Sequence, residues 1–271
     1  MIITKKEFDY IKRKKEGEVF NLKVDFGLRE VTVKKEKERV VFEGKVFLDL
    51  KEKIKENFCY LLEKEGMKKI ALFSKKTNLF YKLMPTGDWP TICLGSVPMH
   101  KLPSPKKDTQ RKIGFLRPYG VVLDTCAGLG YTAILSSSKV KKVITFEKDE
   151  NVLFLVRLNP FSKGLFKAKN IELKEEDVIE GIKKFKGNYF DCILHDPPTF
   201  KLSPSLYSES FYIQLFRVLK IKGKLFHYTP LYKIKRGYDF PAKVKGNLKK
   251  VGFKIIKYCP ESGGLLCQKW I

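Results

Sequence analysis

Apolar residues recur with two different periods along the chain, and the change from one to the other divides it. Near the N-terminus the period is two: Val19, Phe20, Leu22, Val24 and Phe26, then Val31 and Val33, then Val40, Val41, Phe42, Val46, Phe47 and Leu48. Such alternation sends every second side chain to one face of a pleated strand, so it predicts a set of short strands. Within residues 50–64, Ile54, Phe58, Leu61 and Leu62 fall at helical spacing and predict an amphipathic helix. Strand-like segments return at 69–74 and 79–84. Residues 85–108 hold five prolines, Pro85, Pro90, Pro98, Pro103 and Pro105. Proline biases its predecessor away from helix, so this stretch predicts an extended connection that packs on its neighbours or drapes a site. Residues 1–108 thus read as a smaller, β-rich α+β domain and 109–271 as a second domain.

Beyond 109 short apolar strands alternate with helical segments, the signature of a parallel α/β sheet. Strands are predicted at 121–123, 142–146, 171–173, 189–194 and 224–228. Helices are predicted at 131–137, 150–158, 178–185 and 208–219, the last ended by 220–223. Two final strands, 253–258 and 265–270, flank Gly263 and Gly264. The expected fold is α/β: a Rossmann-like sheet with helices on both faces, closed by a C-terminal β-hairpin.

Charge adds a partner to this picture. The chain carries 55 Lys+Arg against 30 Asp+Glu, a net charge of +25. Residues 1–108 hold 25 of those basic residues and 16 of the acidic ones, so both halves are basic. Such a surface concentrates polyanions and repels cations, which points to nucleic acid. Six scattered cysteines form no C-x-x-C pair and imply no metal; they read as reduced thiols of a cytoplasmic protein. The Lys/Glu-heavy composition leans toward a thermophile, in which a disulfide between Cys259 and Cys267 is conceivable. The basic N-terminus lacks the apolar stretch of a secretory signal, and no apolar run is long enough to suggest a membrane span.

The run V-V-L-D-T-C-A-G-L-G-Y-T-A, residues 121–133, carries the first chemical signal. A strand ends at Asp124, Cys126 follows, and Gly128 and Gly130 let the backbone turn and approach a ligand before a helix opens at Tyr131. Ligands of open α/β sheets sit at this carboxyl edge. Three acids favour S-adenosyl-L-methionine as the cofactor. Asp124 is placed to serve the methionine ammonium, Glu147 at the end of the second strand to take the ribose hydroxyls, and Asp177 after the third strand to meet the adenine amino group.

The second signal is His195-Asp196-Pro197-Pro198-Thr199-Phe200. Two prolines after a strand stop the ladder and fix the backbone. The Asp196 carboxylate and Pro197 carbonyl are left as acceptors over the sheet edge, suited to the protons of an exocyclic base nitrogen. Phe200 can stack on a base taken out of its helix or loop. Asp196, Pro197 and Phe200 are therefore the catalytic candidates, with His195, His227 and Pro198 as second-rank lining.

D-P-P-x-F resembles the D/N-P-P-Y/F motif of nucleic-acid N-methyltransferases, with the aromatic one place later and Thr199 between. The stretch 121–229, with L-D-T-C-A-G-L-G-Y-T-A, F-E-K-D-E, H-D-P-P-T-F and L-F-H-Y-T, resembles a family of predicted archaeal class I methyltransferases, sometimes labelled spermidine-synthase-like. The resemblance implies a methyltransferase acting on an exocyclic amine of an RNA base, ribosomal or transfer, with cytidine N4 preferred over guanosine N2 and adenosine N6. The basic N-terminal domain would then be an RNA-binding accessory, and the segment 233–257 would add to the RNA surface. The alternative is an aminopropyltransferase of the spermidine-synthase type, which needs carboxylates to hold a polycationic amine. Cytosine C5 chemistry needs a cysteine thiolate, and the loop after the fifth strand has none.

Overall fold

A computed structural model describes residues 1–64, 66–229 and 239–270. It separates into two compact units: Met1–Pro105 with Arg157–Phe161, and Lys106–Val156 with Ser162–Ile271.

The first unit is built from antiparallel sheets. Val19–Val24, Arg29–Lys35, Arg39–Phe42 and Val46–Asp49 form a meander in chain order. Leu22, Val24, Val31, Val33, Val40, Phe42 and Leu48 turn to its buried side, as the period of two requires. Phe26 leaves that pattern: it follows the first strand in a tight turn with φ of 59°. An unforeseen helix, Lys5–Lys12, starts at a capping box in which Thr4 and Glu7 satisfy each other's backbone donors.

The helix expected over 50–64 does not form. Residues 60–63 are a strand between Ile2–Ile3 and Gly66–Lys69, with Tyr60 opposite Ile3 and Leu61 opposite Ile2. Helical spacing at Ile54 and Phe58 is outweighed by pairing with residues far away in sequence, and both rings and chains still pack on the same core. The strand expected over 69–74 is broken at Ile70 into Gly66–Lys69 and Ala71–Ser74. The stretch 85–108 is not simply extended: Thr91–Leu94 and Val97–Pro98 form a hairpin beside Leu79–Met84. Its prolines sit at strand ends, in turns and, for Pro105, at the start of a helix, which leaves the ladder donors of residues 91–94 intact.

The second unit carries one seven-stranded sheet. Helix α1 (Pro105–Leu116) precedes it, with proline in the first turn, where no backbone donor is missed. The strands are β1 (Val121–Asp124), β2 (Lys142–Phe146), β3 (Ile171–Lys174), β4 (Phe190–His195), β5 (Leu219–Tyr228), β6 (Phe253–Cys259) and β7 (Gly264–Lys269). Their spatial order is β3-β2-β1-β4-β5-β7-β6, with only β7 antiparallel to its neighbours. The order reverses between β1 and β4, where a ligand crevice opens at the carboxyl ends. Its helices include α2 (Tyr131–Ser137), most of α3 (Glu150–Leu158), a short helix at Lys163–Lys167, α4 (Val178–Gly181), α5 (Glu209–Val218) and α6 (Phe240–Val251).

The Rossmann-like sheet and its terminal hairpin match the expectation from sequence. Residues 220–223 do not end the helix before them, because β5 already begins at Leu219 and runs ten residues with a bulge against β4. Helix α6 was hidden in a stretch read only as basic; Asp239 caps it through the Ala242 amide. Of the basic segment 233–257, residues 233–238 lie outside the described residues. Cys259 and Cys267 are both free thiols, since β7 sets Cys267 opposite Ile255 and Cys259 opposite Gly264. No described helix is long and apolar enough to cross a membrane.

Candidate active site

The loop after β1 is held by the sheet edges beside it. The Thr125 amide donates to the Leu194 carbonyl of β4 at 3.0 Å, and the Ala127 amide to the Phe146 carbonyl of β2 at 2.7 Å. Gly128 and Gly130 take φ of 51° and 77°, in the left-handed region that a side chain would strain. Gly130 is the N-cap of α2.

Asp124 is 2% exposed. Its Oδ2 accepts from the Thr132 hydroxyl at 2.8 Å, whereas Oδ1 is buried without a hydrogen-bond partner. Burial pushes this carboxyl up to about 7, against the pull of Thr132. Glu147 follows β2 and accepts from the amides of Gly128 at 3.1 Å and Asp149 at 3.0 Å. Burial pushes it, too, up to about 7. Neither carboxylate has a cation within ion-pair distance among the described residues. Asp177 caps α4 through the Ile179 amide at 2.9 Å and pairs with Lys148 at 2.9 Å.

Thr125, Cys126, Phe146, Glu147, Lys148, Glu176, Asp177, Val178, Pro198, Ser203 and Leu206 line a cleft with a cavity volume of about 70 Å³. It therefore brings Cys126, Glu147, Asp177 and Pro198 of the expected residues together. Asp124, Gly128 and Gly130 adjoin it through the loop, whereas Tyr131 is packed into the interior at 2% exposure. Burial holds the Cys126 thiol well above its usual range, so it stays protonated. Behind the cleft wall, Gly181 abuts the Phe146 ring so closely that an added Cβ would overlap it.

Asp196, just beyond β4, is held by a residue that no motif announced. Lys112 of α1 reaches its Oδ2 at 2.7 Å and Asp108 at 2.8 Å. The lysine and Asp108 are each 3% exposed along their side chains, and Asp196 18%. Burial disfavours the ammonium, but Asp196 and Asp108 together outweigh it and raise the lysine above its ordinary range. Burial raises Asp196, while Lys112 opposes the rise. The Lys112 ammonium also stands 5.3 Å from the ring centre of Tyr228. Pro197 is buried, and the Pro198 carbonyl accepts from the Tyr207 hydroxyl at 3.0 Å. Phe200 is 38% exposed and meets Tyr207 and Phe240 edge to face.

The two histidines are neighbours, as expected of residues closing adjacent strands: His195 lies opposite His227 in the β4–β5 register. They do not face the cleft. Both are fully buried, with ring centres 4.6 Å apart. Every ring nitrogen is occupied: His195 by the Thr125 hydroxyl and the Leu206 carbonyl, His227 by the Tyr228 carbonyl and the Tyr212 hydroxyl. Burial lowers His195 well below its usual range and His227 to about 4, so both remain neutral and fix the strand ends.

No family model matches the chain. It is 41% identical over 248 residues to an uncharacterized protein of Methanocaldococcus jannaschii, covering 88% of this chain and 84% of that one. Among solved structures, spermidine synthase from Thermotoga maritima superposes with a TM-score of 0.55 at 20% identity, covering 78% of this chain and 76% of the other. A spermidine synthase solved with the transition-state analogue AdoDATO gives 0.55 at 17% identity, covering 96% and 84%. The fold is that of spermidine synthases and class I methyltransferases.

Proposed function

The chain belongs to the family of the Methanocaldococcus jannaschii protein, and from that premise we propose that it is an S-adenosylmethionine-dependent methyltransferase acting on an exocyclic amine of an RNA base. The observation that carries this reading is the Lys112–Asp196 pair. A polyamine substrate would bring a second ammonium against a carboxylate already neutralised by a buried one, a like-charge contact in a poorly hydrated place. The amine of a base is uncharged and needs only acceptors. The net charge of +25 adds to the preference for a polyanion over a polycation.

The residues of the cofactor edge fit S-adenosylmethionine. The unpartnered Asp124 Oδ1 suits the methionine ammonium, directly or through water. Glu147 suits the ribose hydroxyls and Asp177 the adenine amino group. When bound, the cofactor supplies an electrophilic methyl on a sulfonium. Asp196 and the Pro197 carbonyl accept from the protons of the target amine and favour its lone pair leaving the ring plane. Lys112 holds Asp196 in place and opposes the upward push that burial gives its carboxyl. Phe200 offers an exposed ring for stacking. The amine gives up its proton to water after transfer, so neutral, saturated His195 and His227 are not required as bases. Protonated Cys126 and buried Cys192, whose thiol is raised to about 11, leave no thiolate for C5 chemistry. Cytidine N4 remains the preferred target, and the basic N-terminal unit is assigned to RNA binding.

The test is transfer of labelled methyl to ribosomal and transfer RNA, with the product nucleoside identified by mass spectrometry. Methylated cytidine N4 is expected. Aminopropyl transfer from decarboxylated S-adenosylmethionine to putrescine, with RNA left unmodified, would overturn the reading.

A further inference from the structure

One face of the second unit combines lysines and aromatic rings in a way the catalytic site does not use. In the register of the terminal strands, Lys224 of β5, Gln268 of β7 and Lys254 of β6 stand side by side in one row. Paired residues share a face of the sheet. The next row on that face is Phe226, Leu266 and Lys257. Phe115 of α1 packs edge to face on Phe226 with ring centres 6.2 Å apart. The face is therefore the one α1 covers at β5 and leaves open over β7 and β6, where Lys254 and Lys257 are exposed.

None of these three lysines is ion-paired among the described residues. Each lies over an aromatic ring: Lys224 over Tyr119 at 5.7 Å, Lys254 over Trp270 at 4.4 Å and Lys257 over Phe115 at 5.9 Å. Such rings brace the long stem without neutralising the charge. Tyr119 and Trp270 remain 43% and 55% exposed. The nearby acid, Asp191, is engaged by Lys220 and the Val121 amide. Three unneutralised ammonium groups, two of them braced on open rings, suit phosphates, with bases or riboses against Tyr119 and Trp270. The same helix ties the face to the chemistry: Lys112 holds Asp196, and Phe115, about one turn further on, abuts the lysine rows.

We propose that the open face of β5, β7 and β6, through Lys224, Lys254, Lys257, Tyr119 and Trp270, binds the phosphodiester backbone of the structured RNA whose base enters the Asp196 site. The proposal rests on the reading of the protein as an RNA methyltransferase. Its test is the triple variant Lys224→Gln/Lys254→Gln/Lys257→Gln of the full chain. An equal change at the opposite sheet edge, Lys139→Gln/Lys167→Gln/Lys169→Gln, is the control. Binding of a fluorescent transcribed RNA hairpin is followed from 50 to 200 mM salt, with S-adenosylhomocysteine binding measured alongside.

The expected result is RNA binding at least about tenfold weaker at low salt in the triple variant. The slope of log K against log salt should be shallower by about 2 to 3, near one unit per lost phosphate contact. S-adenosylhomocysteine binding should be unchanged and the control nearly wild type. Equal losses in both triples would reduce the effect to net charge and overturn the proposal, as would an unchanged slope. In those two outcomes methyl transfer to RNA by the wild type persists and the functional reading stands. A wild type that binds anionic vesicles but no RNA would overturn both.

Discussion

The carboxyl edge of the sheet presents two kinds of carboxylate on neighbouring strands. At β1 and β2, Asp124 and Glu147 have backbone and hydroxyl donors but no cation, and burial lifts both to about 7. Beyond β4, Asp196 comes with its own ammonium, drawn from a helix 84 residues earlier. The first pair is completed only by a ligand that brings donors and positive charge; the second is complete as it stands and asks for a neutral partner. On the proposed reading, one edge receives a cationic cofactor and an uncharged amine without exchanging them.

The sharpest way to break this contrast is to remove the second kind. Asp196→Ala should lower turnover about 10²- to 10³-fold, the usual loss for a strong positioning contact, with S-adenosylhomocysteine and RNA affinity nearly unchanged. Lys112→Met leaves Asp196 buried without its cation, so the carboxyl rises further and turnover should fall at pH 7 and partly recover at alkaline pH. Breaking a buried pair costs roughly 3–5 kcal/mol of stability, so Lys112→Met/Asp108→Asn serves as the better-folded companion. Loss of activity with an unshifted pH profile would make Lys112 merely structural.

A smaller effect sharpens the first kind. A carboxyl raised on folding contributes stability below its unfolded value, about 4, and loses it as pH rises through the folded one. The melting temperature of the ligand-free protein should therefore fall as pH climbs from about 4 to about 7 and level off above that. S-adenosylhomocysteine affinity should climb over the same window, because the ionised carboxylates meet its ammonium and ribose. Glu147→Gln should weaken binding about tenfold and flatten part of that climb in calorimetry. A flat pH dependence in the wild type would mean that the two kinds of carboxylate do not differ.

The smallest expected change is at Phe200. Stacking is worth roughly 1–3 kcal/mol per base, and a ring already engaged by Tyr207 and Phe240 should deliver the lower end. Phe200→Ala should weaken RNA binding about fivefold in a filter or anisotropy assay, with cofactor binding untouched. No change would leave D-P-P-T-F with its two acceptors, Asp196 and the Pro197 carbonyl, as the recognition elements.

What could be read from the sequence was what is local. Period-two alternation gave the meander of 19–49, and the Asp124–Gly130 loop is a strand end, two glycines and a helix start within a few residues. The error at 50–64 arose because Tyr60 and Leu61 find their partners at Ile3 and Ile2, which no window around them contains. Lys112 was missed for the same reason: it is one lysine among many until α1 lays it against Asp196. His195 and His227 were placed as neighbours by strand order, but their saturation depends on Leu206 and Tyr212, which arrive from the following loop and helix.

Gly181 gives the cleft an adjustment that its lining does not reveal. The glycine does not line the cleft; it packs against the Phe146 ring, and Phe146 is part of the wall. Any side chain at 181 must shift that ring, so the width of the cleft at Phe146 is gauged from the rear. In the proposed site, the size of residue 181 would then act as a caliper on which adenosyl compounds enter, with Glu147 and Asp177 left untouched.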